Sequence, residues 1–243
     1  MSLRRIHSGQ ALAANSRSVL RGSAANHVLR VLRLRAGDRL VAFDGSGSDF
    51  DAEIIRTGRE EVELAIGSGR AIHSESVLDI TLFQGISRGP RMDTVIQKAT
   101  ELGVTRIQPV LAERSVVRLD AGAAGRKREH WQRVAIAAAE QSGRSRVPEV
   151  AAPAAFGDLI PASSGYPTRL QLDPRGEPLA RQAIAGGPVA LLIGPEGGFS
   201  EAELQLALAS GFRRLRLGPR ILRTETAPLA ALALLQFVAG DLG

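Results

Sequence analysis

Between Val189 and Thr226 the chain reads VALLIGPEGGFSEAELQLALASGFRRLRLGPRILRTET, and few folds accept that order. Val189–Ile193 is a short apolar run bounded by Pro188 and Gly194, which suits a strand buried on both faces of a parallel sheet. Gly194, Gly197 and Gly198 then offer positive φ and an approach unobstructed by Cβ atoms. Ser200 with Glu203 forms a capping box that starts a helix. Leu204, Leu206, Ala207 and Leu208 give that helix its apolar side, and Gly211 is placed to end it. A second strand, Arg214–Leu217, stops at Gly218-Pro219 and opens into Arg220-Ile221-Leu222-Arg223-Thr224-Glu225-Thr226. Open α/β sheets bind ligands at such strand ends, so these two loops are the candidate site.

One such turn alone is as consistent with a plain structural turn as with a ligand loop. The spacing is not that of G-x-G-x-x-G, and no Gly-Lys-Ser/Thr follows for a phosphate loop. The second loop tips the reading, because it sets Arg220 and Arg223 beside apolar Ile221 and Leu222.

The remainder of the chain alternates strand and helix signals. Leu78–Gln84, Arg106–Leu111 and Arg169–Leu172 read as strands, with helices over Asp93–Leu102, over Arg126–Ser142 and near Leu179–Ile184. That alternation predicts a parallel sheet covered on both faces. Thr226–Val238 is apolar on every side and needs burial by the fold or by a second subunit. Earlier, Asn26–Arg35 is a short amphipathic helix or a helix-to-strand passage. Arg39–Asp44, Phe50–Ile55 and Glu61–Ile66 read as short strands joined by tight turns, the pattern of a small β-barrel. Its aromatics are few, Phe43 and Phe50, so base stacking is not a strong expectation. The polar small-residue stretch Gly67–Ser76 predicts a boundary between domains 1–72 and 73–243.

The 243 residues carry a formal net charge of +6, and arginine supplies all but two of the 31 positive side chains. Residues 1–37 hold arginines 4, 5, 17, 21, 30, 33 and 35 and no acid, a basic segment suited to phosphates. No apolar run is long enough to span a membrane, and no signal-like segment opens the chain, so a cytoplasmic protein is expected. Cysteine is absent and the four histidines (His7, His27, His73, His130) show no ligand spacing, so no metal is expected.

LLIGPEGGFSEAE followed by LGPRILRTETA resembles the carboxyl half of the SPOUT RNA methyltransferases, and within them the 16S rRNA (uridine-N3) methyltransferases. KATELGV at 98–104, ERSVV at 113–117 and EQSGR at 140–144 extend the likeness in the same order across nearly the whole chain. Where that family often has Lys-Gly-Asp, this chain has Arg88-Gly89-Pro90, and no contact is carried over there. The resemblance implies an α/β protein: an N-terminal PUA-like RNA-binding β-barrel, then a SPOUT domain with a C-terminal trefoil knot, assembled as a homodimer. It implies S-adenosyl-L-methionine (SAM) as cofactor, held by Leu192–Gly198 (Leu192, Ile193, Gly194, Pro195, Glu196, Gly197, Gly198) and by Leu217, Gly218, Arg220, Ile221 and Leu222. Glu196 is open between a ribose or sulfonium contact and capping of the next helix.

Uridine N3 holds its proton at neutral pH, so methylation there needs a base or a cation that stabilises the developing anion. Glu225 is the candidate for the first and Arg220 and Arg223 for the second, with a phosphate clamp the equal alternative for each arginine. Arg114 is open between catalysis and RNA holding. Arg4, Arg5, Arg30, Arg33 and Arg144 are expected on RNA, and Thr224 and Thr226 as helix caps. The implied partner is 16S rRNA within the small ribosomal subunit. The alternatives are a SPOUT enzyme acting on tRNA or 23S rRNA, and a non-catalytic RNA-binding assembly factor.

Overall fold

A computed structural model describes residues 4–72, 74–117, 119–179, 184 and 186–243. Two units emerge, one of residues 1–75 with 136–147 and the other of residues 76–135 with 148–243. The last turns of one long helix and the loop behind it therefore count with the first unit.

In the first unit β1 (Arg5–His7) pairs parallel with β3 (Arg39–Phe43), and β3 pairs antiparallel with β4 (Ser48–Thr57). β4 then pairs antiparallel with β5 (Glu61–Ala71), and β5 with β2 (Arg17–Arg21). A short helix α1 (Gly22–Asn26) runs into a π-helical turn at His27–Val31. Alternation along β2, β4 and β5 sends Leu20, Ile54, Val62 and Leu64 into one core with Ile6, Val28 and Leu40. Phe43 and Phe50 are buried, so neither is available to stack on a base. Gly67–Ala71, expected as a linker, is instead the end of β5. A side chain at Gly69 would meet the Phe50 ring at 2.8 Å, so the small residues here serve close packing.

Asp49 is the polar centre of this unit, almost wholly buried. Its carboxylate pairs with the Arg5 guanidinium and accepts a hydrogen bond from Ser145 Oγ at 2.6 Å. Arg5 also lies over the Phe43 ring, 5.0 Å from its centroid. Arg144 donates to Glu75 at 2.7 Å with its side chain 5% exposed. Arg5 and Arg144, both expected on RNA, are each largely desolvated and paired with a carboxylate. Arg17 and Arg21 pair with Glu63 and Glu61. Arg4, Arg30, Arg33 and Arg35 are exposed and form no ion pair among the described residues.

The second unit is a seven-stranded parallel sheet in the order β12-β10-β11-β6-β7-β8, with β9 also on β7. Its strands are β6 (Ile80–Gly85), β7 (Arg106–Leu111), β8 (Glu149–Val150), β9 (Ala154–Ala155), β10 (Thr168–Pro178), β11 (Val189–Ile193) and β12 (Arg213–Arg216). Helices α2 (Arg91–Glu101), α3 (Ala121–Ser142), α4 (Phe156–Leu159), α5 (Glu201–Ala209) and α6 (Thr226–Ala239) complete the chain. β10 is longer than its apolar stretch predicts, because a register shift between Leu172 and Glu177 lets it continue through a polar bulge. The helix expected near Leu179–Ile184 falls on 180–183, which lie outside the described residues. No described helix is long and apolar enough to cross a membrane.

Removing the carboxylate at Asp49 leaves the buried Arg5 charge uncompensated. Asp49→Ala is expected to destabilise the first unit by about 3–5 kcal/mol, read as a lower urea midpoint at unchanged slope.

Candidate active site

Parallel pairing brings the carboxyl ends of β6, β10, β11 and β12 to one side of the sheet. The segments that leave those ends enclose a cavity of about 750 Å³. Leu172, Ile193, Leu204, Leu215, Leu217 and Leu222 give it an apolar wall. Arg91, Asp173, Arg175, Glu196, Arg220, Arg223 and Glu225 supply charge.

Most of the residues singled out from sequence meet here: Ile193, Gly194, Pro195, Glu196, Gly198, Leu217, Gly218, Arg220, Ile221, Leu222, Arg223 and Glu225. Three do not line the cavity. Leu192 points the other way by strand alternation and packs with Phe83, Val110 and Ala190 in the core. Gly197 lies against the backbone of Arg114, where an added Cβ would sit 2.9 Å from the Arg114 carbonyl oxygen. Arg114 itself is exposed beside that loop. Of Gly194, Gly197 and Gly198, only Gly198 adopts positive φ, at 66°. The close approach that the sequence reading missed is at Gly85: any side chain there would collide with the Pro195 ring and the Gly194 carbonyl carbon.

The two loops are stitched at their base. Thr224 Oγ1 donates to the Gly194 carbonyl at 3.0 Å and lies 3.0 Å from Ser87 Oγ, and all three groups sit near the end of β6. The buried Gln84 amide donates to the Gly85 carbonyl at 3.0 Å. Thr224 thus joins loop to loop and does not cap α6, whose N-cap position, Glu225, makes no side-chain cap bond. The capping box at Ser200 and Glu203 forms as expected. Glu203 does more than cap, since its second oxygen accepts the Glu113 N–H at 2.8 Å and so anchors the loop that carries Arg114.

Glu196 accepts from the Arg88 N–H and from Arg91 Nη1, each at 2.9 Å. Burial pushes this carboxyl up, but those two donors, its own backbone N–H and the Arg91 charge outweigh burial and hold it below the usual range. Glu196 thus ties to Arg91, at the start of α2, and the helix that follows it is capped by Ser200 and Glu203 instead. Arg91 Nε also lies 3.6 Å from Glu225 Oε2, while Arg223 is 80% exposed and only 4.0 Å from the other Glu225 oxygen. On the opposite wall Asp173 accepts two bonds from the Arg175 guanidinium at 3.1 and 3.0 Å. Burial raises this carboxyl too, and the bonds and charges of Arg175 and Arg214 bring it below its ordinary value. Arg91 carries no short-range sequence signal, since its partner Glu196 lies 105 residues away, whereas Asp173 and Arg175 pair two residues apart and went unread. Among the described residues no group of three or more His, Asp or Glu side chains is placed to hold a metal; His73 lies outside them.

Residues 74–236 match the family described as RNA methyltransferase domain, and residues 20–67 match RNA methyltransferase PUA domain. The ribosomal RNA small subunit methyltransferase E of Bacillus subtilis is 32% identical over 225 residues, covering 89% of this chain and 88% of its own. The protein of the same name from Synechocystis is 35% identical over 86% of this chain and 69% of its own. A Legionella pneumophila methyltransferase solved with the bound cofactor SAM superposes with a TM-score of 0.96 at 37% identity over all of both chains. The ribosomal RNA small subunit methyltransferase E of Neisseria gonorrhoeae bound to S-adenosyl methionine gives 0.90, at 37% identity and full coverage of both.

Because the folded state lowers the Glu196 pKa, its pairing adds stability above the ordinary carboxylate range of about 4.3. That stability is lost as pH falls through the lowered value. The difference in melting temperature between wild type and Glu196→Gln should therefore be present at pH 7 and shrink toward zero on acidification. A difference that stays constant down to acid denaturation would contradict the assignment.

Proposed function

The chain belongs to the RNA methyltransferase family, and from that premise we propose that it is a SAM-dependent enzyme that methylates N3 of a uridine in the 16S rRNA of the small ribosomal subunit. The carrying observation is the cavity closed by the two glycine loops at the ends of β11 and β12. Its volume falls within the range of small-molecule sites. Apolar Leu172, Ile193 and Leu215 suit an adenosine moiety, and Glu196 and Asp173, each paired with an arginine, put carboxylates in the lining for a sulfonium to face. Backbone groups of Gly194–Gly198 and Leu217–Leu222 are free of helix or strand ladders at the rim and can take the adenine edge. When bound, SAM supplies the methyl group.

Glu225 takes the N3 proton as the N–CH3 bond forms and the S–CH3 bond breaks, leaving S-adenosylhomocysteine. Arg220 and Arg223 stabilise the uracil anion, and Arg114 steers the RNA beside them. Arg4, Arg30 and Arg33 hold phosphates, a reading supported by their exposure and lack of acidic partners; Arg5 and Arg144 leave that set. The protein acts in the cytoplasm, as a homodimer in which α6 covers its like. Leu232 and Leu235 are buried in their own chain, whereas Leu234, Phe237 and Val238 are exposed and await a partner. The trefoil threading of α6 behind the Leu217–Glu225 loop belongs to the same proposal.

Labelled SAM incubated with small subunits lacking the modification should place label at one uridine N3, and label on tRNA or 23S rRNA alone would overturn the target. Neutralising Arg4, Arg30 and Arg33 should leave SAM affinity intact and flatten the salt dependence of subunit binding by about 0.7–0.9 log units per lost phosphate contact. Arg223→Ala should instead lower the single-turnover rate at saturating subunit more than it lowers subunit affinity. Phe237→Glu should shift the light-scattering mass from two chains to one. An unchanged mass would remove α6 from the interface.

A further inference from the structure

Both loops of the cavity carry a carboxylate, and both carboxylates face one guanidinium that the sequence motifs do not include. Arg91 bonds Glu196 at 2.9 Å, and its Nε approaches Glu225 Oε2 at 3.6 Å, beyond hydrogen-bond distance. Glu225 Oε2 is buried and has no hydrogen bond in the described structure. A desolvated carboxylate oxygen left in that state costs about 1–3 kcal/mol or more, and the Arg91 guanidinium is the charge placed to offset it. Glu196 is fixed twice, by Arg91 and by the Arg88 N–H, which makes the Glu196 side of the bridge the anchor. Without a cation between them, the two carboxylates would repel and the loops would drift apart.

We infer that Arg91 is a positioning residue for methyl transfer: tethered to Glu196, it holds the Glu225 carboxylate by its buried Oε2 at the cavity wall and leaves the other oxygen to accept the N–H of the target base. This rests on the transfer reading above, with Glu225 as the base. Arg91 touches neither reacting atom and acts through the carboxylate it aims. A misplacement of the order of 1 Å at such a group costs on the order of a hundredfold in rate.

Arg91→Met should slow single-turnover transfer at saturating small subunit by roughly ten- to a hundredfold, with SAM affinity by calorimetry changed less than about threefold. Arg91→Lys keeps a point charge without the planar fork that reaches both carboxylates and should restore only part of the rate. In Arg91→Met combined with Glu225→Gln, the loss should not exceed that of Glu225→Gln alone, because the tether has nothing left to aim. A wild-type rate in Arg91→Met, or losses that multiply in the double variant, would overturn the inference. If the wild-type protein transfers no methyl group, the functional reading fails first. The tether is then judged by hydrogen exchange, where Arg91→Met should speed exchange in both 194–200 and 220–225, and unchanged exchange in either loop would refute it.

Discussion

The hydroxyl of Thr224 is where the two halves of the cavity are joined. It donates to the Gly194 carbonyl and meets Ser87 at the end of β6, so three strand ends share one buried polar contact. Apolar wall residues come from β10, β11 and β12, and none of them would converge if the Gly194 and Leu217 loops were free to separate. The contact is possible because Gly85 has no side chain, which lets Pro195 settle against the last residue of β6. A small residue on one strand and a hydroxyl on a distant loop thus decide whether a parallel sheet ends in a closed site or an open crevice.

Charge in this protein is divided by burial more than by count. Asp49, Glu75, Glu196 and Asp173 each hold an arginine in place; Arg5 and Arg144 are largely buried in doing so, whereas Arg91 and Arg175 stay about half exposed. Exposed and without an ion pair among the described residues are Arg4, Arg30, Arg33, Arg35, Arg39, Arg59 and Arg146 in one unit. In the other, the strongly exposed Arg223 stands at the cavity rim.

Local chemistry was legible in the sequence wherever a motif completes itself within a few residues. Arg106–Leu111 and Val189–Ile193 form the strands their apolar runs predict, and the Ser200–Glu203 box starts its helix. The cavity residues in GPEGG and LGPRILRTET were legible for the same reason. Partners separated by long stretches of chain were not. Arg5 and Asp49 lie 44 residues apart and Arg91 and Glu196 lie 105 apart, so a basic segment and an unremarked arginine hide opposite roles. β10 was read too short because its bulge is polar and answers to its neighbours β11 and β12 rather than to its own periodicity.

The first unit includes residues 136–147, and its Asp49 and Glu75 are satisfied by Ser145 and Arg144 from that late segment. A ribosome making this chain delivers all five strands of the small sheet long before it delivers those two partners. The apolar core of that sheet is drawn from residues 6–66 alone, and Arg5 already faces Asp49 within it. What comes late is polar closure: the Ser145 partner of Asp49 and the Arg144 partner of Glu75 are made only after residues 76–135, which belong to the other unit.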